Sequence, residues 1–354
     1  DTRVRGLSSH FVWTNRGKES LALDLKHGAA SVILGKLLAG ADVLVQNLAP
    51  GAAARLGLSF EALHETHPRL VVCDISGYGD DADRPGPYRD RKAYDLLIQG
   101  ESGFLSVTGT ADEPAKAGCS IADIAAAMYA YSGILAALIE RDRTGVGRRI
   151  DVSMLESMVE WMGFPLYYAH EGAPPPPRSG AAHATIYPYG PFPAGDGKSV
   201  LLGLQNEREW QVFCERVLGR PELARDPRFA SNAARNAARH ELRSIIVSAF
   251  AASTAAAVTE RLEAARIASA QVRTMADVWA HPQLQARQRW VDVETPAGPV
   301  AALLPPGRRD AADAGMGAVP RLGEHTAALL AELGLAPTEI ERLRGEGAIG
   351  EAIR

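Results

Sequence analysis

Ser120 and Asp123 stand three residues apart at the head of a stretch rich in small residues, Ala125, Ala126, Ala127 and Ala130. A serine N-cap with an acid at the third helical position is a helix-start signature, the capping-box arrangement. A carboxylate there can satisfy backbone N–H groups, which stabilises a helix by about 1 kcal/mol or less. The same positive helix end favours the ionised form, and an ionised carboxylate held in place can serve as a covalent nucleophile. Spacing alone leaves both roles open.

Other short signatures of chemistry are missing. No G-x-G-x-x-G follows a strand and no G-x-x-x-x-G-K-[ST] occurs, so neither dinucleotide nor nucleoside-triphosphate cradles are expected. The G-x-S-x-G elbow of serine hydrolases is absent as well. The nine histidines are scattered, and His64 and His67, three apart, read as the exposed side of a short helix. No metal site and no tightly bound cofactor are expected.

The elements that must position Asp123 come from the periodicity. Residues 21–25, 42–47 and 70–75 read as strands, with helical patterns at 29–38 and 60–66 between them. Nearly continuous apolar strands separated by helices imply a parallel sheet covered on both faces, an α/β layered domain. A polar excursion from Gly77 to Arg91 follows. A long helix is expected over 120–140, and a further segment opens at Arg149 and runs to about Tyr168. The four prolines 174–177 form a stiff extended linker. Beyond it, a turn at Gly195-Asp196-Gly197, a strand at 200–204 and helices at 207–218, 233–250 and 254–265 read as a smaller α+β domain over 178–290. Residues 303–309 return the chain to the large domain, 1–177 continued by 291–354, and helices at 323–331 and 338–344 close it.

Composition narrows the class. With 354 residues, 46% hydrophobic and 23% charged, the chain is globular material sized for about two domains. A net charge of −4 lacks the basic excess of nucleic-acid binders. No uninterrupted run approaches the ~18 apolar residues of a membrane helix. Cys73, Cys119 and Cys214 lack disulfide-like or metal-like spacing, which places the chain in a reducing, cytoplasmic setting.

The segment Gly118-Cys119-Ser120-Ile121-Ala122-Asp123, then Gly133-Ile134-Leu135 and Arg143-Thr144-Gly145-Val146-Gly147-Arg148-Arg149-Ile150-Asp151-Val152-Ser153, resembles the family III CoA-transferases. Asn15-Arg16-Gly17-Lys18, Val45-Gln46-Asn47-Leu48-Ala49-Pro50-Gly51, Lys92-Ala93-Tyr94-Asp95 and Leu322-Gly323-Glu324-His325-Thr326 match further pieces in the family's order. The resemblance implies a Rossmann-like large domain, an interlocked homodimer, and coenzyme A and acyl-CoA as substrates together with a small carboxylic acid. It makes Asp123, ten residues before Gly133, the nucleophile that carries an aspartyl-CoA thioester. It assigns CoA binding to Leu23, Lys26, Asn47, Leu48, Ala49, Arg55, Lys92, Ala93, Tyr94 and Asp95. By themselves Lys26 and Arg55 read as solvated cations, and Asn47 equally as a turn residue.

Two departures stand out. The family's opening strand–helix–strand unit would lie ahead of Asp1. Its glycine-rich loop over the active site is unrecognisable, its place falling at 179–183 or 187–190, with His183 and Tyr189 as substrate contacts. The α-methylacyl-CoA racemases share the fold but need a His-Asp pair for proton transfer; here Tyr94-Asp95 occupies that place, and a tyrosine with pKa near 10 is a poor base. Transferase is favoured over racemase and over an idle CoA-binding protein. Residues 202–210 look most like members acting on short dicarboxylates such as succinate, itaconate, mesaconate or malate.

Overall fold

The structure, a computed structural model, describes residues 1–350 of the chain. It divides into two compact units, one formed by residues 1–74, 132–151 and the stretch from 275, the other by 75–131 and 152–274.

The first unit is built on a three-stranded sheet, β1 (Val43–Gln46), β2 (Val71–Ser76) and β3 (Arg149–Ser153), in the order β1-β2-β3. β1 and β2 run parallel, from Val43 opposite Val71 to Gln46 opposite Asp74. Val71, Val72 and Cys73 are at most 1% exposed, which is why the central strand reads as an unbroken apolar run. The crossover helix Phe60–Thr66 starts at Ser59, whose hydroxyl accepts from Ala62 N–H. Leu38, Leu58, Leu63, Leu70 and Val72 pack together there, while Ile33, on the Ala30–Ala39 helix, joins a second cluster with Leu330, Ile340 and Leu343.

The expected strand at 21–25 does not form. Leu23 makes a single bridge to Ile349, and Leu21 and Leu23 pack on the cluster around Leu330. Their alternation therefore reflects burial of two leucines against helices, and the sheet's third strand is β3 instead.

The second unit holds an antiparallel sheet, β4 (Tyr189–Pro193), β5 (Ser199–Gly203) and β6 (Ala268–Gln271), with β5 central. The helices Arg239–Phe250 and Ala255–Ala264 bury Leu242, Ile246, Phe250, Val258 and Leu262 in one core with Phe192, Leu202, Trp210 and Phe229. Thr254 caps the Ala255–Ala264 helix through Ala257 N–H. The helix expected over 207–218 runs as Glu207–Val212 and then widens into a π turn, Phe213–Val217; that expected over 233–250 breaks at Ala238. β6 went unanticipated because Ala-Ser-Ala-Gln has no β-favouring residue and is made a strand by pairing with β5. β7 (Trp290–Val293) and β8 (Val300–Leu303) form a separate hairpin in the first unit.

The long helix spans Ile121–Thr144, 24 residues. By length and composition it could cross a membrane, contrary to the reading of runs in the sequence, because Asp123, Tyr129 and Ser132 interrupt any continuous apolar run without making the whole polar. Ala122, Ala125, Ala126, Ala130 and Ala137 on one face are at most 4% exposed, while Met128, Tyr131, Leu135 and Ile139 are exposed.

Candidate active site

Asp123 is the third residue of this helix and is exposed. Ala122, Ala125, Ala126 and Ala130 are buried, so over residues 121–130 the covered face of the helix presents methyl groups to what it packs on. Ile124 N–H bonds Ser120 O, so Ser120 is the residue from which the helix departs.

The segment before the helix is held from a second direction. Asp95 and Gln99 lie one turn apart on the Asp95–Glu101 helix. Ala122 N–H donates to Asp95 Oδ1 at 2.9 Å, Gln99 Nε2 to Asp95 Oδ2 at 2.7 Å, and Ala117 N–H to Gln99 Oε1 at 2.9 Å. Gln99 is fully buried. These bonds fix both flanks of Gly118-Cys119-Ser120, immediately ahead of the carboxylate. Gln99 was not singled out in the sequence, and nothing local marks it, since its backbone partner lies 18 residues away.

Lys92, Ala93 and Tyr94 belong to the same unit. A Cβ on Gly77 would sit 2.1 Å from the Ala93 methyl, so glycine lets this loop lie directly on the turn after β2. Gly77 O in turn accepts from Leu155 N–H. Tyr94 is 68% exposed, its ring available to a ligand.

The loop carrying His183 is tied to the turn around Gly109. Gly180 N–H donates to Gly109 O, and the Arg178 guanidinium to the carbonyls of Thr110 and Ala111. His183 Nδ1 accepts from the N–H groups of Thr185 and Ile186, at 3.2 and 3.0 Å. The ring proton of the neutral imidazole therefore sits on Nε2. The ring stacks on Tyr189, with centroids 5.3 Å apart. His183 lines a cavity of about 300 Å³ with Val107, Thr108, Phe164, Ser179 and Thr185.

The remaining expected residues lie in the first unit. Asn47, Leu48 and Ala49 follow β1 directly and are exposed, with Leu48 N–H donating to Gln46 Oε1. Gly51, at φ +72°, then turns the chain into the short helix carrying Arg55. Leu23 is half-buried beside the exposed Lys26, whose N–H is held by Asp24 Oδ1. Behind β1, Asp74 is buried and engages Gln46 and Arg149, at 2.8 and 2.7 Å. A larger cavity of about 920 Å³, lined by Trp13, Trp279, Trp290 and Arg16, contains none of the expected residues.

Burial pushes the Cys73 thiol to about 11 and that of Cys214 to about 12, so neither is a nucleophile at neutral pH. Cys119, ahead of the helix start, is exposed.

The family model described as CoA-transferase family III matches residues 1–326. The succinate–glutarate CoA-transferase of Agrobacterium fabrum is 35% identical over 336 residues, covering 92% of this chain and 81% of its own length. The succinyl-CoA:mesaconate CoA-transferase of Haloarcula hispanica is 32% identical, covering 92% and 82%. Among solved structures, a CaiB/BaiF family protein from Brucella suis superposes with a TM-score of 0.80 at 34% identity, over 92% of this chain and 84% of that one.

Proposed function

Since this chain belongs to CoA-transferase family III, we propose that it transfers coenzyme A between short dicarboxylates by way of an aspartyl-CoA thioester on Asp123. The observation that carries this is the position of Asp123, exposed in the first turn of a long, alanine-packed helix whose start is fixed by hydrogen bonds on its N-terminal flank. Relatives named for succinate, glutarate and mesaconate support the substrate class.

In the proposed sequence the Asp123 carboxylate attacks the carbonyl carbon of the donor thioester. The C–S bond breaks, CoA leaves as thiolate, and a mixed anhydride forms. The thiolate then attacks the aspartyl carbonyl and releases the donor acid as carboxylate. The acceptor carboxylate and the returning thiolate repeat the two exchanges in the opposite direction, freeing Asp123. No net proton is moved, so the chain needs a fixed anion rather than a general base, consistent with Tyr94 at the racemase histidine's place.

For CoA we carry forward Leu23, Lys26, Asn47, Leu48, Ala49, Arg55, Lys92, Ala93 and Tyr94, with the two cations serving phosphates. The His183 cavity suits the far carboxylate of a four- or five-carbon diacid, with Nε2–H as donor and Tyr189 bracing the ring. We place the enzyme in the cytoplasm, where its free thiols Cys73, Cys119 and Cys214 stay reduced. We also propose that it works as an interlocked homodimer. Met128, Tyr131, Leu135 and Ile139, each at least 43% exposed at helical spacing, form an apolar stripe on the Asp123 helix that supports association.

The test is product analysis. Succinyl-CoA incubated with glutarate or mesaconate should give the corresponding new CoA ester and free succinate. No transfer to any diacid, together with solvent deuterium entering a 2-methylacyl-CoA at its α-carbon, would replace this reading with the racemase.

A further inference from the structure

We propose that Asp95 and Gln99 are a positioning pair for Asp123, holding the turn before its helix so that the carboxylate meets the thioester; this rests on the aspartyl-CoA reading above. Donors and acceptors along these bonds must match one to one. The N–H groups of Ala117 and Ala122 can only donate. Ala117 takes the carbonyl oxygen of Gln99, which leaves the Gln99 amide nitrogen to face Asp95. Position 95 therefore meets two donors and must offer an acceptor to each, which an ionised aspartate does with its two oxygens. Gln99 is fully buried, so its amide depends on these two partners.

A Cβ on Gly118 would meet nothing within 4 Å, so no neighbour wedges the backbone at this residue, and the bonds to Ala117 and Ala122 hold the turn on either side of it. Asp123 follows Ala122 directly, and any shift there is passed to the carboxylate. Both Asp95 oxygens accept a hydrogen bond within the protein, which gives the carboxylate this task.

Asp95→Asn presents one donor where two acceptors are needed, and every orientation of the two amides leaves donor against donor. Adding Gln99→Glu restores the count: the new glutamate accepts from Ala117 N–H and from the new asparagine amide, whose oxygen accepts from Ala122 N–H. In the full chain, Asp95→Asn should slow formation of the Asp123 adduct by ~10–100-fold, the scale expected when a reacting group is displaced by about 1 Å. The Kd for CoA should change by no more than about twofold, and the double variant should recover most of the rate. Hydrogen exchange of the peptide spanning 116–124 should rise in Asp95→Asn and fall again in the double variant.

A CoA Kd weakened about tenfold with the adduct rate intact would make Asp95 a ligand contact and overturn the proposal. So would a double variant no better than the single one, or unchanged exchange in Asp95→Asn. If the wild-type chain forms no adduct at all, the reading beneath the proposal fails and the catalytic role falls with it, while the exchange pattern still decides whether the pair holds the turn.

Discussion

A carboxylate proposed as the nucleophile that also lies in the first turn of a helix allows activity to be separated from stability. Asp123→Asn keeps the shape and the ability to accept hydrogen bonds while removing the attacking anion. Turnover is expected to fall ~10³-fold or more. Stability should change by about 1 kcal/mol or less, the usual worth of an exposed first-turn charge, so a melting curve distinguishes chemical loss from unfolding. His183→Ala removes a donor fixed on Nε2 and should raise KM for the diacid about tenfold, with KM for the acyl-CoA held, since a hydrogen bond to a charged group is worth about 1.5–3 kcal/mol. The helix start that carries Asp123 was legible in the sequence because it is written in adjacent residues, while the role proposed for the carboxylate came from the family resemblance. Gln99 was not legible: what gives it meaning is a backbone N–H that folding brings to it, and no spacing rule links 99 to 117.

At the scale of elements, the motif Arg143–Ser153 shows what a short sequence match can encode. Gly147 donates its N–H to Pro68 O, and a Cβ there would sit 2.1 Å from the Leu70 carbonyl oxygen. Gly147→Ala is therefore expected to destabilise the chain by about 1–3 kcal/mol through overpacking against backbone, read as a lower Tm. In the second unit, Arg235 is buried and spans Glu207 and the carbonyls of Tyr187 and Phe229. The hydrogen bond from Arg235 holds the Glu207 carboxyl below its ordinary 4.5. A depressed folded-state pKa means that this stabilisation is present above the unfolded value and is lost as pH falls through the folded one. Denaturant unfolding of Glu207→Gln should show a weaker decline in stability on acidification below about 4.5 than the wild type; an identical decline would assign it to other groups. β2 was legible because its buried stretch Val71-Val72-Cys73 is an apolar run, and β1 because Val43-Leu44-Val45 are β-favouring residues ahead of a turn. Residues 21–25 misled because two leucines packing on helices leave the same alternation as a half-buried strand.

At the scale of the whole molecule, the exposed stripe on the Asp123 helix carries the prediction. Light scattering of the purified chain should give twice the monomer mass, and Leu135→Glu with Ile139→Glu should lower it toward one chain. A wild-type monomer would remove the dimer from the proposal without touching the chemistry. The central claim is tested most directly by weighing the intact chain after mixing with succinyl-CoA, then quenching and mapping peptides after borohydride or hydroxylamine trapping. The account predicts a CoA-sized adduct, a trapped product on the peptide holding Asp123, and neither in Asp123→Asn. Transfer of CoA to a diacid with no label at Asp123, or with the label unchanged in Asp123→Asn, would contradict it.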